Sequence, residues 1–236
     1  MTKRLAFAII FSLLPTLLWA QDSEKSKDTK TKVQKPSRDF VMLQLTYNGW
    51  ANAPDSIKLA GFSRGFNGYL CYDFPIGKSK FSFAAGVGIS ASNYYFKNQR
   101  VVINDTGSAA VVRFDDTTGY KRSKLTVAYL QAPFELRFFG NKENRNMGFK
   151  AAIGLQVGTL MGAHVKNNYT IPGTSTKAID KTSTKRFVNS WNFAATMRLG
   201  WGNFSLFGSY NLTTLYKEFQ GPQFTPYSFG LCITGL

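Results

Sequence analysis

The sequence predicts an all-β fold: an eight-stranded antiparallel up-and-down transmembrane β-barrel. Three observations predict it. Apolar residues alternate with small or polar ones over eight separate segments, and a period of two puts each set on one face of a strand. The connectors between segments are short and long by turns, as in barrels with short inner turns and longer external loops. The chain also opens with the features of an export signal.

That opening is Met1 to Ala20. Lys3 and Arg4 form a charged start and Leu5 to Leu18 an apolar core of 14 residues, and Ala20 supplies a small residue at the cut. A membrane-spanning helix needs about 20 apolar residues, and this run is shorter and holds Pro15. Gln21 to Asp39 carries six bases and four acids with no aromatic residue, and reads as a disordered tether on the periplasmic side. Residues 40–236 are read as the barrel.

The strands are expected at 40–50, 64–76, 80–96, 124–139, 147–163, 187–200, 203–215 and 225–236. In the first, Val41, Leu43, Leu45 and Tyr47 alternate with Met42, Gln44, Thr46 and Asn48. The third sets Phe81, Phe83, Ala85, Val87 and Ile89 against Ser82, Ala84, Gly86, Gly88 and Ser90. The fifth sets Phe149, Ile153, Leu155 and Val157 against Lys150, Gly154, Gln156 and Gly158. The sixth shows Trp191, Phe193, Met197, Leu199 and Trp201 on one face, and the eighth Tyr227, Phe229, Leu231 and Ile233. A soluble barrel would need the large apolar face inside. A narrow interior of glycine, serine and charges is a poor core, whereas Phe, Leu, Val and Ile make a good lipid face. Tyr47, Trp50, Tyr94 to Phe96, Phe138, Phe139, Trp191 and Trp201 lie near strand ends, as interfacial girdles do. An even number of strands returns both ends to the periplasm. The expected address is therefore the bacterial outer membrane.

The formal net charge is +16. No nucleic-acid motif accompanies it, so outer-membrane lipids and lipopolysaccharide phosphates are the expected partners rather than nucleic acid. Cys71 and Cys232 fall on the polar face of the second and eighth strands. With the first strand between them they are separated by roughly 10 Å, beyond the ~7 Å a disulfide tolerates, so two free lumen-facing thiols are expected. One histidine and two cysteines give no metal-ligand spacing, and no cofactor is expected.

Two sets of residues are candidate sites. Asp73, Glu135, Arg137, Lys150 and Arg198 lie on the polar face near the periplasmic ends of their strands. Unpaired charges there are costly, so the set reads as an ion-paired plug, with packing and closure ahead of gating or ion passage. Arg113, Lys121, Arg122, Lys166, Lys181, Lys185 and Arg186 lie in the segments 97–124 and 164–186, read as external loops. Such bases either attract phosphates or are simply solvated. No catalytic residues are assigned. His164 is the single histidine, with Ser175 and Ser183 in the same loop, but no Gly-x-Ser-x-Gly elbow is present, and the expectation is a protein that is not an enzyme.

The segment Tyr129–Arg137 (YLQAPFELR), a short polar turn and the glycine-spaced segment Gly148–Gly158 (GFKAAIGLQVG) resemble the PorT-like outer-membrane β-barrel family of Bacteroidetes. That resemblance implies an eight-stranded outer-membrane barrel. Through one member tied to type IX secretion, it also implies a secretion-apparatus protein as a partner. Pro133 matches the family's proline and is expected at a bulge or a weak pairing point. The chain ends in Leu236 rather than the Phe or Trp of many such barrels.

Overall fold

The computed structural model describes residues 39–104, 111–116, 120–141, 147–170, 174 and 176–235. The signal-peptide reading and nearly all of the tether reading lie outside them. Eleven strands are present among the described residues: β1 (Asp39–Ala51), β2 (Arg64–Pro75), β3 (Phe81–Phe96), β4 (Gln99–Asn104), β5 (Val111–Asp116), β6 (Tyr120–Phe139), β7 (Phe149–Thr170), β8 (Lys177–Ser183), β9 (Trp191–Trp201), β10 (Phe204–Asn211) and β11 (Thr225–Thr234).

Eight of these close into one antiparallel barrel. The order β6-β3-β2-β1-β11-β10-β9-β7 is completed by pairing of β6 with β7. Strands follow one another up and down because the links at one end are tight. Gly202 takes a φ of 61° between β9 and β10, a conformation open to a residue without Cβ. Its N–H reaches Gly148 O at 3.0 Å and joins two turns.

Alternation sorts the side chains as a bilayer requires. Leu45, Leu70, Ile153, Leu199, Leu206 and Leu231 stand exposed on the outer wall, while Gln44, Asn67, Gln131, Gln156 and Asn192 are buried inside. An apolar belt of this extent is untenable in water and is the lipid face of a membrane barrel.

The long external segments differ from their reading as loops. Residues 97–123 contain the hairpin β4–β5, a separate two-stranded sheet, and also the start of β6. Residues 164–186 contain the end of β7 and all of β8, paired from His164↔Ser183 to Thr170↔Lys177. The expected strand 187–200 is also corrected, because residues 185–187 form a turn and Val188 makes an isolated bridge to Tyr216 before β9 begins at Trp191. β8 and β9 together line one edge of β7, β9 along Phe149–Thr159 and β8 along His164–Thr170. These additions escape an alternation test because β8 is an edge strand exposed on nearly every residue.

β7 carries a bulge part-way along its length. Tyr129 pairs Leu160 and Ala128 pairs Gly162, so Met161 is the extra residue. An inserted residue reverses which parity faces inward. Below it Gln156, Gly158 and Leu160 are buried, and above it Ala163, Val165 and Asn167. The β3–β6 ladder passes from Phe134 to Gln131 without pairing Ala132 or Pro133. Pro133, which lacks an N–H, thus occupies the weak pairing point expected of it.

Candidate functional site

The lumen is filled in three layers. At the end with the short turns Arg137 sits 3.0 Å from Asp73 Oδ1 and 2.6 Å from Glu135 Oε2. Arg198 reaches the same Glu135 oxygen at 2.7 Å. All four side chains are buried, two acids against two bases. The Arg137 guanidinium also lies 4.1 Å from the centre of the Phe40 ring, a cation–π contact. β2, β6 and β9 each contribute to this knot, which the barrel closure alone brings together. Lys150 does not join it. It is half-buried at the rim, with Nζ 5.9 Å from the Phe139 ring centre.

Small residues opposite large ones make room for the knot. Glu135 pairs Gly154 and Gln131 pairs Gly158. A Cβ on Gly154 would meet the Phe134 carbonyl, with Glu135 Cα at 3.0 Å. Cys71 and Cys232 are free and buried, packed with Met42, Tyr69, Phe207 and Phe40. β1 lies between their strands, the separation that keeps the thiols apart.

The middle layer is neutral and hydrogen-bonded. Asn67 Nδ2 donates to Gln44 Oε1 at 2.9 Å, and Ser90 Oγ donates to Asn67 Oδ1 at 2.8 Å. Tyr69 donates its hydroxyl to Gln131 Oε1 at 2.7 Å, while Gln131 Nε2 donates to Asn192 Oδ1 at 3.2 Å. A cavity of about 30 Å³ lies among Asn67, Ser90, Gln131, Asn192 and Ser228, large enough and polar enough to hold water.

The external layer departs from the polar lumen that the sequence suggests. Trp50, Tyr94, Phe96, Val127, Tyr129, Leu160, Phe187, Tyr216 and Phe224 form an apolar core at this end. Trp50 stacks on Phe224 with centroids 3.9 Å apart. The β4–β5 hairpin adds Val101 and Val112, with Phe114 packed against them, and Val112 N–H bonds Gln220 O at 2.9 Å in the neighbouring loop. Burial without a hydrogen-bond partner for its hydroxyl pushes the Tyr216 phenol up from its ordinary value. Trp50, Tyr94, Phe96 and Phe139 are therefore interior residues and not girdle residues. Trp191 and Trp201 do face outward. The parity of β1 and β3 carried this signal: Trp50 has the parity of Gln44, and Phe96 that of Ser82.

The predicted basic loop residues are dispersed. Arg113 is exposed on β5, and Lys185 and Arg186 are exposed in the turn after β8. The side chains of Lys121 and Arg122 lie outside the described residues, as does Ser175. Lys166 and Lys181 are brought directly opposite each other on β7 and β8, and Lys124 of β6 faces Lys166 from the other side. His164 pairs with Thr126 on β6 and Ser183 on β8. Among the described residues no three His, Cys, Asp or Glu side chains converge as a metal site.

A closed eight-stranded barrel with an apolar exterior defines an integral outer-membrane β-barrel protein. The chain belongs to the outer membrane protein beta-barrel domain family, whose profile matches residues 4–219. No curated protein matches it.

Proposed function

We propose that this chain is a non-enzymatic, non-conducting barrel that acts through its surfaces as an accessory of protein secretion of the type IX kind. One observation carries the first half: among the described residues the ion-paired knot, the neutral layer and the aromatic cap follow one another across the lumen. Eight strands enclose only enough space for side chains, so what remains for function is the outer wall and the two rims. The secretion half is supported by the resemblance of the β6–β7 hairpin to PorT-like barrels, and its partner is a protein of the secretion apparatus. The test is gene deletion followed by proteomics of the medium and the outer membrane. Loss of a defined set of exported proteins, restored by complementation, is the expected result. An unchanged secretome removes the secretion role and leaves a structural surface barrel.

A second reading rests on the direct pairing of His164 with Ser183 on the outer wall, the two residue types of a lipid-modifying dyad. No acid lies on the rung Arg64–Asn93–Thr126–His164–Ser183 to orient the imidazole. A changed lipid profile in His164→Ala, at unchanged barrel abundance, would favour this reading over the first.

A further inference from the structure

The bulge at Met161 has a consequence for the outer wall. It turns His164 and Lys166 outward, onto the face that carries Ile153 and Leu155 lower down. Lys166 then stands between Lys124 and Lys181 on the two neighbouring strands. With adjacent strands ~4.8 Å apart, the three lysines spring from a row of backbone positions roughly 10 Å long. Tyr95 continues the same row on β3. The rung below it adds Arg64 and His164, and neither rung holds an acid. Among the described residues none of Arg64, Lys124, Lys166 and Lys181 forms an ion pair. Lys124 Nζ donates to Asn93 Oδ1 at 3.1 Å. It also lies 5.9 Å from the Tyr95 ring centre, and Arg64 lies 6.0 Å from the same centre.

Like charges directly opposed in a sheet repel, so this row costs stability unless an anion sits on it. Its place on the wall says which anion. Exposed Ile89, Leu130 and Met161 are the last large apolar residues on the outer faces of β3, β6 and β7, and a rung of small residues, Ala91, Ala128 and Gly162, separates them from the basic rungs above. A molecule with alkyl chains against that strip and phosphate at the lysine row matches both halves of the surface. The wall is open and convex here, so a free anion would be held on one side only.

We propose that Lys124, Lys166 and Lys181, with Arg64 and Tyr95 beside them, form a binding site on the outer wall for the phosphate of a phosphorylated glycolipid in the external leaflet. The site is independent of any secretion partner and persists if that role is removed.

The full barrel is placed in phosphatidylcholine nanodiscs containing bisphosphorylated lipid A, or the same glycolipid with both phosphates removed. Lipid retained after release from the disc is counted by native mass spectrometry. The wild type retains the phosphorylated form preferentially. Lys124→Gln/Lys166→Gln/Lys181→Gln lowers that retention on the order of a hundredfold, about fivefold for each lysine. Lys78→Gln/Lys80→Gln/Arg113→Gln, an equal change of charge on exposed bases away from this row, leaves it unchanged. A heat-dependent gel shift confirms that each variant is folded. Should the triple variant fail to fold, Lys166→Gln at the centre of the row replaces it, with a loss of about fivefold expected. Inorganic phosphate at the lipid's concentration does not compete. Equal retention of the two glycolipids by the wild type, full retention by the folded lysine variant, or displacement by inorganic phosphate would each overturn the proposal.

Discussion

Arg137 touches Asp73, Glu135 and Phe40 at once, so removing its guanidinium leaves Asp73 buried without its 3.0 Å partner. Breaking a buried pair from one side costs about 3–5 kcal/mol, mainly through the charge left behind. Arg137→Ala should therefore lower the free energy of unfolding by an amount of that order, read as a lower urea midpoint followed by gel mobility in detergent. Arg137→Lys should fall between, since an ammonium keeps the charge and loses the planar fork. A midpoint unmoved by Arg137→Ala would show that the knot does not stabilise the barrel. The thiols allow a test of the same layer without perturbing it. Cys71 and Cys232 are both buried and separated by β1. Maleimide should label neither in the folded barrel and both after unfolding, with or without reductant. Fast labelling of either in the folded state would mean that the end with the short turns opens.

The element that most changes the picture is the β4–β5 hairpin, which folds Val101, Val112 and Phe114 onto the core around Trp50. Each fully buried valine contributes about 1.5–2 kcal/mol, so the hairpin stabilises the cap without belonging to the barrel wall. Replacing residues 99–116 by a short Gly-Ser link should leave the eight-stranded barrel folded. Trp50, 8 % exposed, should then become accessible to iodide quenching, best read in a background where Trp191 and Trp201 are phenylalanine. Unchanged quenching would show that the loop 212–224 caps Trp50 alone. The same elements mark where the sequence is legible. The eight wall strands are readable because each has one face in lipid and one in the lumen, and that difference writes a period of two. β4, β5 and β8 never meet lipid on one side and a polar lumen on the other. β8 carries no such period, and the alternation of Val112, Arg113, Phe114 and Asp115 in β5 is too short to stand out, so these segments read as loops. The bulge at Met161 is hidden for a related reason: Leu160, Met161 and Gly162 offer no local cue for which residue is inserted, and the parity of His164 and Lys166 depends on it. Trp50 and Phe96 are misplaced by the sequence although parity is available, because position near a strand end suggests a girdle.

At the scale of the whole molecule the interior reverses its character from end to end. Charge, neutral polar groups and aromatic rings follow one another along a single lumen, and each layer depends on strands distant in sequence. Four of the five lumen charges expected from the sequence converge, whereas Lys150 stays outside because its strand begins at the rim. The order of layers has a consequence for transport. An ion entering from the end with the short turns meets a neutral knot of two acids and two bases, then a cavity of about 30 Å³, then a core of aromatic residues. Stripping an ion of water to cross an apolar layer costs tens of kcal/mol in the continuum limit, so the aromatic cap alone is sufficient to block it. The wild-type barrel should therefore show no steady conductance in a planar bilayer. Arg137→Ala should show none either, despite its lower stability, because the neutral layer and the cap remain. Hairpin removal should likewise stay closed, since the knot is intact. Discrete channel openings from Arg137→Ala alone would mean that the knot is the seal and the external layers are not, which would turn the reading of this barrel from a surface protein to a gated one.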